Sequence, residues 1–218
     1  MEKILVLWYN FNMPTITIYT INISRIRQLD LSWMKDKMPR RWERAGKYLR
    51  EQDRLLCLGA GYLLKRTVGI RSEDELTFNE NGKPIAPSKT DFSLSHSEQR
   101  SAIVVNDGQI GLDIEKIESE FPKEAQMIFT EEEKSFCMAN PNPNLCSYQL
   151  WTMKESVLKA SGLGFSLDPT TFSVLPAFSK EPVKVGDNVW HIASGVFDGY
   201  CCSVCREQPI DKLQWVEI

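Results

Sequence analysis

An Asp-Gly pair near the middle of the chain, Asp107-Gly108, separates two short runs of strand-forming residues. The run before it is SAIVV and the run after it is IGLDI. Asp-Gly between two such runs is a strong signal for a tight β-hairpin, because glycine adopts the positive φ that the turn requires. The sequence therefore predicts antiparallel sheet at the midpoint of the chain, with these two runs as the arms of one hairpin.

Helix and strand signals follow each other in a similar order in the two halves of the chain. Residues 15–23 alternate polar and β-branched apolar side chains and predict a strand, while residues 32–67 show helical spacing, as two helices or one broken helix. Residues 148–164 predict a strong helix that ends at Gly162 and Gly164. The expected fold class is α+β, with two similar lobes, each an antiparallel sheet packed with helices.

The halves also define the expected domains. The N-terminal lobe is predicted to span residues 15–108 and the C-terminal lobe residues 109–218. The segments DFSLS and TFSVL occupy comparable places after the helical part of each half, which is weak support for an internal duplication. Residues 1–14 are expected to form an N-terminal extension or an extra strand.

Composition excludes several classes of protein. The net charge of −3 over 218 residues argues against a general nucleic-acid binder, which is strongly basic. Two histidines and the lack of paired C-x-x-C motifs argue against a structural zinc site, so the six cysteines are expected to be buried thiols. No secretory signal or membrane span is expected. We therefore predict a cytoplasmic protein with neither a nucleic acid nor a membrane as its partner.

Two carboxylates lie two residues apart in the strand IGLDIEK. Because strand side chains alternate between faces, Asp113 and Glu115 should point the same way, opposite the apolar residues of the strand. The simpler interpretation is the solvent face of a half-buried antiparallel strand. The functional interpretation is that a cation or a donor lies between the two acids, which would otherwise repel each other.

The predicted helix near the C-terminal third carries a further acid and two lysines. At helical spacing Trp151, Glu155 and Lys159 share one face, with Lys154 at the edge of that face. The pair formed by Glu155 and Lys159 is also an ordinary helix-stabilising ion pair. Three carboxylates in all could instead hold Mg²⁺, which prefers oxygen ligands and usually bridges substrate phosphates. The lysines would then neutralise those phosphates.

These segments, taken together, match the signature of one family. The run GLDIEKI, followed by FTEEE and then by LWTMKESVLKASGLG, resembles the 4′-phosphopantetheinyl transferases of the Sfp type. The segments GKPIAP and FSLSHS resemble that family's G-K-P and F-x-x-S-H-S segments. The resemblance extends from about residue 15 to the early 200s, which is nearly the whole chain.

The resemblance implies a pseudo-twofold monomer whose active site lies between two α+β lobes. Such an enzyme transfers 4′-phosphopantetheine from coenzyme A to a serine hydroxyl of an apo acyl or peptidyl carrier protein, with Mg²⁺ or, as an alternative, Mn²⁺. The other product is adenosine 3′,5′-bisphosphate. The pathway that the carrier serves, whether fatty acid, polyketide or nonribosomal peptide synthesis, stays open.

The resemblance also implies roles for individual residues. The implied metal ligands are Asp113, Glu115 and Glu155. Glu155 and Lys159 are the implied catalytic residues, with Lys159 contacting the pyrophosphate. The implied coenzyme A contacts are Arg41, Arg44, Lys83, Pro84, Ser95, His96, Asp113, Lys154 and Lys159.

Several points remain open at the level of sequence. Glu133 matches an acid that can lie near the active site, but a capping box with Thr130 explains it equally well. The general base is either of the acids Glu155 and Glu133, or a metal-bound water. Cys57 stands where relatives often carry a hydroxyl residue, and its weakly donating thiol could weaken binding of the 3′-phosphate.

Two other functions compete with the transferase. One is an inactive module of the same fold that only binds carrier proteins. The other is a different magnesium-dependent phosphoryl or nucleotidyl enzyme, which the absence of a Gly-rich phosphate loop disfavours.

Overall fold

The computed structural model describes residues 15–88 and 90–218, so the predicted extension over residues 1–14 lies outside the described part of the chain. Strands and helices alternate along the chain. The strands are β1 (Thr15–Asn22), β2 (Thr77–Phe78), β3 (Pro84–Ile85), β4 (Thr90–Ser97), β5 (Arg100–Asp107), β6 (Ile110–Lys116), β7 (Val183–Val185), β8 (Asn188–Phe197), β9 (Tyr200–Arg206) and β10 (Lys212–Glu217). The helices are α1 (Ile23–Ile26), α2 (Met34–Lys37), α3 (Pro39–Lys47), α4 (Glu51–Leu63), α5 (Glu131–Ala139) and α6 (Pro143–Ser161). The predicted α+β class is confirmed.

Two four-stranded sheets form the framework of the described residues. The first sheet has the order β10-β1-β5-β4, the second has the order β6-β9-β8-β7, and β2 and β3 form a separate small ribbon. All pairings are antiparallel except that between β1 and β10, which is parallel. The last strand of the chain therefore completes the sheet of the N-terminal lobe, although the predicted lobe boundary assigns it to residues 109–218.

The predicted hairpin between β5 and β6 is wrong. The turn exists, with Gly108 at a φ of 115°, but its two arms belong to different sheets. Strand β5 pairs with β4 in the first sheet, and β6 pairs with β9 in the second. The run IGLDI thus begins the second sheet instead of returning along the first. Its apolar side chains, Ile110, Leu112 and Ile114, still pack against β5, because they share a core with Ala102 and Val104.

Three clusters of buried side chains hold the layers together. One lies between the first sheet and helices α1 to α4, and a second lies between the second sheet and helices α5 and α6. The third joins the inner faces of both sheets through residues of β1, β5, β6 and β9. The two lobes therefore share a continuous apolar core, which fixes the first sheet relative to the second.

Several local predictions are confirmed by the structure. The helical region is divided, since α3 ends at Lys47 and α4 begins at Glu51. Helix α6 ends at Ser161, and Gly162 follows it with a φ of 69°, the left-handed conformation that closes a helix. All six cysteines are free and buried. None of the described helices is long and apolar enough to cross a membrane.

Candidate active site

Helix α6 packs against β6 at a glycine. The odd-numbered residues of β6 face this helix, and a Cβ atom at Gly111 would overlap the carbonyl oxygen of Ser156 and the amide nitrogen of Ala160. Only a residue without a side chain permits such an approach. Asp113 is the next residue on this face of the strand, so the close approach brings Lys159 on the last turns of the helix to it.

Asp113 is buried in this contact, with only 3% of its surface exposed. Its Oδ1 atom accepts hydrogen bonds from Lys159 Nζ at 2.7 Å and from Ser95 Oγ at 2.8 Å. Its Oδ2 atom is buried and has no hydrogen-bond partner among the residues that the structure describes. An unpaired buried carboxylate oxygen is costly, so this atom is suited to bind a ligand.

Glu115 lies two residues further along the same face and is less buried than Asp113. Its Oε2 atom accepts a hydrogen bond from Ser97 Oγ at 2.7 Å. Burial, together with the negative charge of Asp113, raises the pKa of Glu115 to about 7. The interpretation of these two acids as a solvent face is therefore wrong, because neither of them is freely solvated.

Glu155 and Lys159 lie on the partly exposed side of α6, as predicted. Burial raises the pKa of Glu155, and Lys159 partly offsets this effect by lowering it. Both side chains line a pocket that also contains Lys83 and Pro84 and that has an empty volume of about 680 Å³, including open solvent.

A second pocket adjoins the first across Gly82, Pro84 and Leu94, which line both. It is lined on its far side by a cluster of basic residues and has an empty volume of about 1210 Å³, including open solvent. The basic residues are Arg40, Arg41, Arg44 and His96. The two pockets form one groove, with Glu155 and Lys159 at one end and three arginines at the other.

Two arginines of this groove are hydrogen-bonded to neighbouring segments of the same chain. At the start of α3, the backbone amides of Arg40 and Arg41 donate to the two carboxylate oxygens of Glu73. The guanidinium of Arg41 donates to the carbonyl oxygen of Cys57 at 3.2 Å, and burial lowers its pKa. Arg44 is exposed at the edge of the groove. Cys57 is buried behind Arg41, and its thiol lies 3.8 Å from the carbonyl oxygen of Arg41.

His96 lines the second pocket and Lys83 lines the first. Burial, and to a smaller extent Lys159, hold the pKa of His96 below its usual value, so the imidazole is neutral at physiological pH. The Lys83 ammonium donates to Asp91 at 2.6 Å and lies within 3.4 Å of the carbonyl oxygens of Ile110 and Ala160. Only the aliphatic carbons and the backbone of Lys83 are free to line the groove, so its predicted contact with coenzyme A is limited to these atoms.

Lys154 does not face the cleft, so the prediction that it contacts phosphate is corrected. Its side chain is completely buried, and its ammonium donates to the carbonyl oxygens of Pro169 and Phe172 at 2.7 Å each. The third partner is Glu133 Oε2 at 2.9 Å. With three donors and three acceptors, this lysine has no donor left for a substrate.

Glu133 is a structural residue. It forms the predicted capping box with Thr130, pairs with Lys154, and accepts the backbone N–H of Val174 at 2.9 Å. Its side chain is completely buried, so it has no access to a substrate in the cleft. Of the two acids considered as a general base, only Glu155 lies in the groove.

Sequence reasoning missed the polar contacts between β4 and β6. The side chains of β4 at every second position accept backbone N–H groups of β6; these are Asp91, Ser93, Ser95 and Ser97. The signal was present as D-x-S-x-S-x-S in the strand. Small polar side chains at alternate positions of a strand beside a sheet edge are able to satisfy that edge.

The carboxylates suit Mg²⁺ only in part. Within the described ranges, no group of three or more His, Cys, Asp and Glu side chains is arranged to hold a metal ion, so the predicted three-carboxylate cluster is not assembled. Asp113, with its unpaired Oδ2, and the adjacent Glu115 do offer oxygen ligands. Mg²⁺ is commonly bound by one or two carboxylates with substrate phosphates and water, so this donor set fits the ion.

A cleft with paired carboxylates, a lysine against them and arginines beyond is suited to metal-assisted transfer of a phosphorylated group. Residues 109–205 match the family model of the 4′-phosphopantetheinyl transferase superfamily. The resemblance of the chain to Sfp-type 4′-phosphopantetheinyl transferases is confirmed.

Three curated relatives illustrate the similarity. The 4′-phosphopantetheinyl transferase gsp of Aneurinibacillus migulanus is 30% identical over 157 residues, which cover 64% of each chain. The 4′-phosphopantetheinyl transferase Sfp of Bacillus subtilis is 29% identical over 184 residues, covering 78% of this chain and 82% of the relative. The 4′-phosphopantetheinyl transferase HetI of a Nostoc species is 29% identical over 170 residues, covering 71% and 70%. The chain thus aligns with slightly less than two thirds of the first relative's length.

Proposed function

We propose that this chain transfers 4′-phosphopantetheine from coenzyme A to a serine of an apo acyl or peptidyl carrier protein, with Mg²⁺, releasing adenosine 3′,5′-bisphosphate. The observation that carries the proposal is Asp113. One of its oxygens is held by Lys159 and Ser95, and the other is buried without a partner beside Glu115. Such an arrangement supports the binding of a cation next to a phosphate-binding lysine.

The groove accounts for the binding of coenzyme A. Arg41 and Arg44 receive the 3′-phosphate at the basic end, and the backbone around Lys83 and Pro84 lies along the adenosine. The pyrophosphate then reaches Lys159, at the end that also carries Glu155. Charge complementarity along the groove supports this direction, because the second pocket is lined by Arg40, Arg41 and Arg44.

The transfer exchanges one phosphorus–oxygen bond for another. The carrier serine oxygen attacks the phosphorus that bears pantetheine, the bond from this phosphorus to the bridging oxygen breaks, and the bridging oxygen leaves on adenosine 3′,5′-bisphosphate. Glu155 accepts the serine proton, and Lys159 and the neutral His96 donate hydrogen bonds to the phosphate oxygens. When bound, Mg²⁺ neutralises the charge that develops on the pyrophosphate.

The test is to incubate the chain with coenzyme A, Mg²⁺ and an apo carrier protein and then to measure the mass of the carrier. We expect the carrier to gain the mass of one phosphopantetheine. The gain should not occur when EDTA is present, and it should occur again when excess Mg²⁺ or Mn²⁺ is added. Acyl and peptidyl carriers are tested side by side, because the pathway is open. Stable binding of carriers without any gain in mass would instead favour the alternative of an inactive carrier-binding module. The monomeric state and cytoplasmic location stay predictions.

A further inference from the structure

Strand β6 has two unlike edges. Along one edge it forms a regular antiparallel ladder with β9, from Ile110 opposite Arg206 to Lys116 opposite Tyr200. Along the other edge its amides are bound by side chains of β4. The N–H groups of Ile110, Leu112, Ile114 and Lys116 donate to Asp91 Oδ2, Ser93 Oγ, Ser95 Oγ and Ser97 Oγ at 2.9, 3.0, 3.2 and 3.0 Å.

The three serines of this contact differ in their second hydrogen bond. Ser93 makes none to a carboxylate, whereas Ser95 donates to Asp113 at 2.8 Å and Ser97 donates to Glu115 at 2.7 Å. Ser95 is already among the predicted coenzyme A contacts, but no role has been assigned to Ser97. Its hydroxyl donates to Glu115, and the side chain of Trp151 is a second donor near this carboxylate.

The geometry leaves the Ser97 hydroxyl little freedom. A hydroxyl has one proton to donate, and in Ser97 the oxygen accepts the N–H of Lys116 while the proton is directed at Glu115. The side chain is therefore held by the backbone of the same strand that carries Glu115. A carboxylate held at one oxygen in this way is less free to turn away from the negative charge of Asp113, two residues along the strand.

We propose that Ser97 is a positioning residue that orients Glu115 as a ligand for the divalent cation shared with Asp113. The inference rests on the proposed function, since it assigns the two acids to the cation. Ser97 itself touches neither the substrate nor the cation. The competing role is purely structural: Ser97 would be one more contact between β4 and β6, equivalent to Ser93.

Ser93 provides the matched control. Both serines accept one backbone N–H of β6, at the same distance of 3.0 Å, and only Ser97 also contacts a carboxylate. The variants Ser97→Ala and Ser93→Ala therefore remove the same contact between the strands but differ in their effect on Glu115. Ser97→Thr keeps the hydroxyl and suits a strand, so it serves as the conservative rescue.

The experiment measures Mn²⁺ binding to the intact chain by electron paramagnetic resonance, without and with coenzyme A, together with the free energy of unfolding of each variant. We expect Ser97→Ala to raise the Mn²⁺ dissociation constant about tenfold or more, as for other residues that orient metal ligands. Ser97→Thr should restore most of the affinity, and Ser93→Ala should leave it unchanged. The two alanine variants should lose similar stability.

The inference is overturned if Ser97→Ala and Ser93→Ala bind Mn²⁺ equally well, or if the unsubstituted chain binds none with or without coenzyme A. The carrier-modification assay separates this failure from failure of the proposed function. If the unsubstituted chain binds Mn²⁺ and Ser97→Ala weakens the binding, the inference stands even when no carrier gains mass. If carriers gain mass but Ser97→Ala binds Mn²⁺ normally, only the role of Ser97 is lost.

Discussion

Helix α6 carries two lysines that form very different ion pairs. Lys154 and Glu133 are both completely buried, and backbone groups supply the remaining hydrogen bonds of each side chain. Lys159 is 30% exposed in its side chain and binds one oxygen of Asp113, whose other oxygen has no partner. The residues are alike and five positions apart, so the difference lies in what surrounds them.

The comparison separates a polar group that supports the fold from one that is prepared for a ligand. Around Lys154 every donor and acceptor is used, and such a network rigidifies a core. Around Asp113 the bonding is incomplete among the described residues, next to the partly exposed Lys159. Incomplete bonding of a buried charge is unfavourable in the isolated protein, and a bound cation would remove the penalty.

The largest effect is expected from breaking the buried pair. Lys154→Met leaves Glu133 charged and buried without its partner, and we expect a loss of about 3–5 kcal/mol in the free energy of unfolding. Chemical denaturation measures it, with Lys159→Met as the matched control on the same helix. The control should lose less stability than Lys154→Met, because Lys159 is partly exposed and Ser95 still binds Asp113, but it should lose most of its transfer rate. If the two variants lose the same stability, the contrast between the pairs is wrong.

A large loss of activity is expected from Asp113→Asn. The substitution keeps the size of the side chain but removes the charge that would bind the cation, so we expect the transfer rate to fall about 100-fold or more. The mass of the modified carrier over time measures the rate at several Mg²⁺ concentrations. The free energy of unfolding should change far less than in Lys154→Met. A rate close to that of the unsubstituted chain would remove Asp113 from the site.

The sequence was sufficient to predict which functional side chains share a face of β6 and of α6, but the three-carboxylate cluster that it also predicted is not assembled among the described residues. Alternation in β6 placed Asp113 and Glu115 on one face, and helical spacing placed Glu155 and Lys159 together on α6. It was not sufficient to place Lys154, which lies one position from Glu155 at the margin of the exposed face. Its burial depends on the carbonyl groups of Pro169 and Phe172, which belong to a later segment and have no pattern in the sequence.

The hairpin was predicted incorrectly because local turn chemistry does not determine the partner of a strand. Asp107-Gly108 makes the turn, but β6 gains more backbone pairing with β9 and satisfies its second edge with the serines of β4. The sequence also did not predict the close contact at Gly111, because a glycine within a strand is equally consistent with a bulge, a tight bend or the close approach of another backbone.

A smaller effect is expected at the contact that brings Lys159 to Asp113. In Gly111→Ala, the new Cβ would overlap the backbone of α6 at Ser156 and Ala160, so helix and strand must separate. We expect a loss of about 1–3 kcal/mol in the free energy of unfolding, with a fall in transfer rate. Gly46→Ala in α3 is the control, because its Cβ meets nothing within 4 Å and should be neutral or stabilising. Equal behaviour of both variants would show that α6 tolerates displacement.

The smallest effect is expected in the dependence of stability on pH. Burial and the charge of Asp113 raise the pKa of Glu115 from an ordinary 4.5 to about 7, so between these values the folded state retains a proton that the unfolded chain has lost. The contribution of this group to stability is therefore complete below pH 4.5 and is lost as the pH rises through 7.

This contribution is measured by chemical denaturation in the presence of EDTA, at about pH 5 and about pH 8, with Glu115→Gln as the control that cannot titrate. The unsubstituted chain should lose more stability over this interval than the variant, and added Mg²⁺ should reduce the difference, because the cation favours the ionised carboxylate. An identical pH dependence in both proteins would mean that Glu115 is ionised without a ligand, as expected for a solvated surface acid.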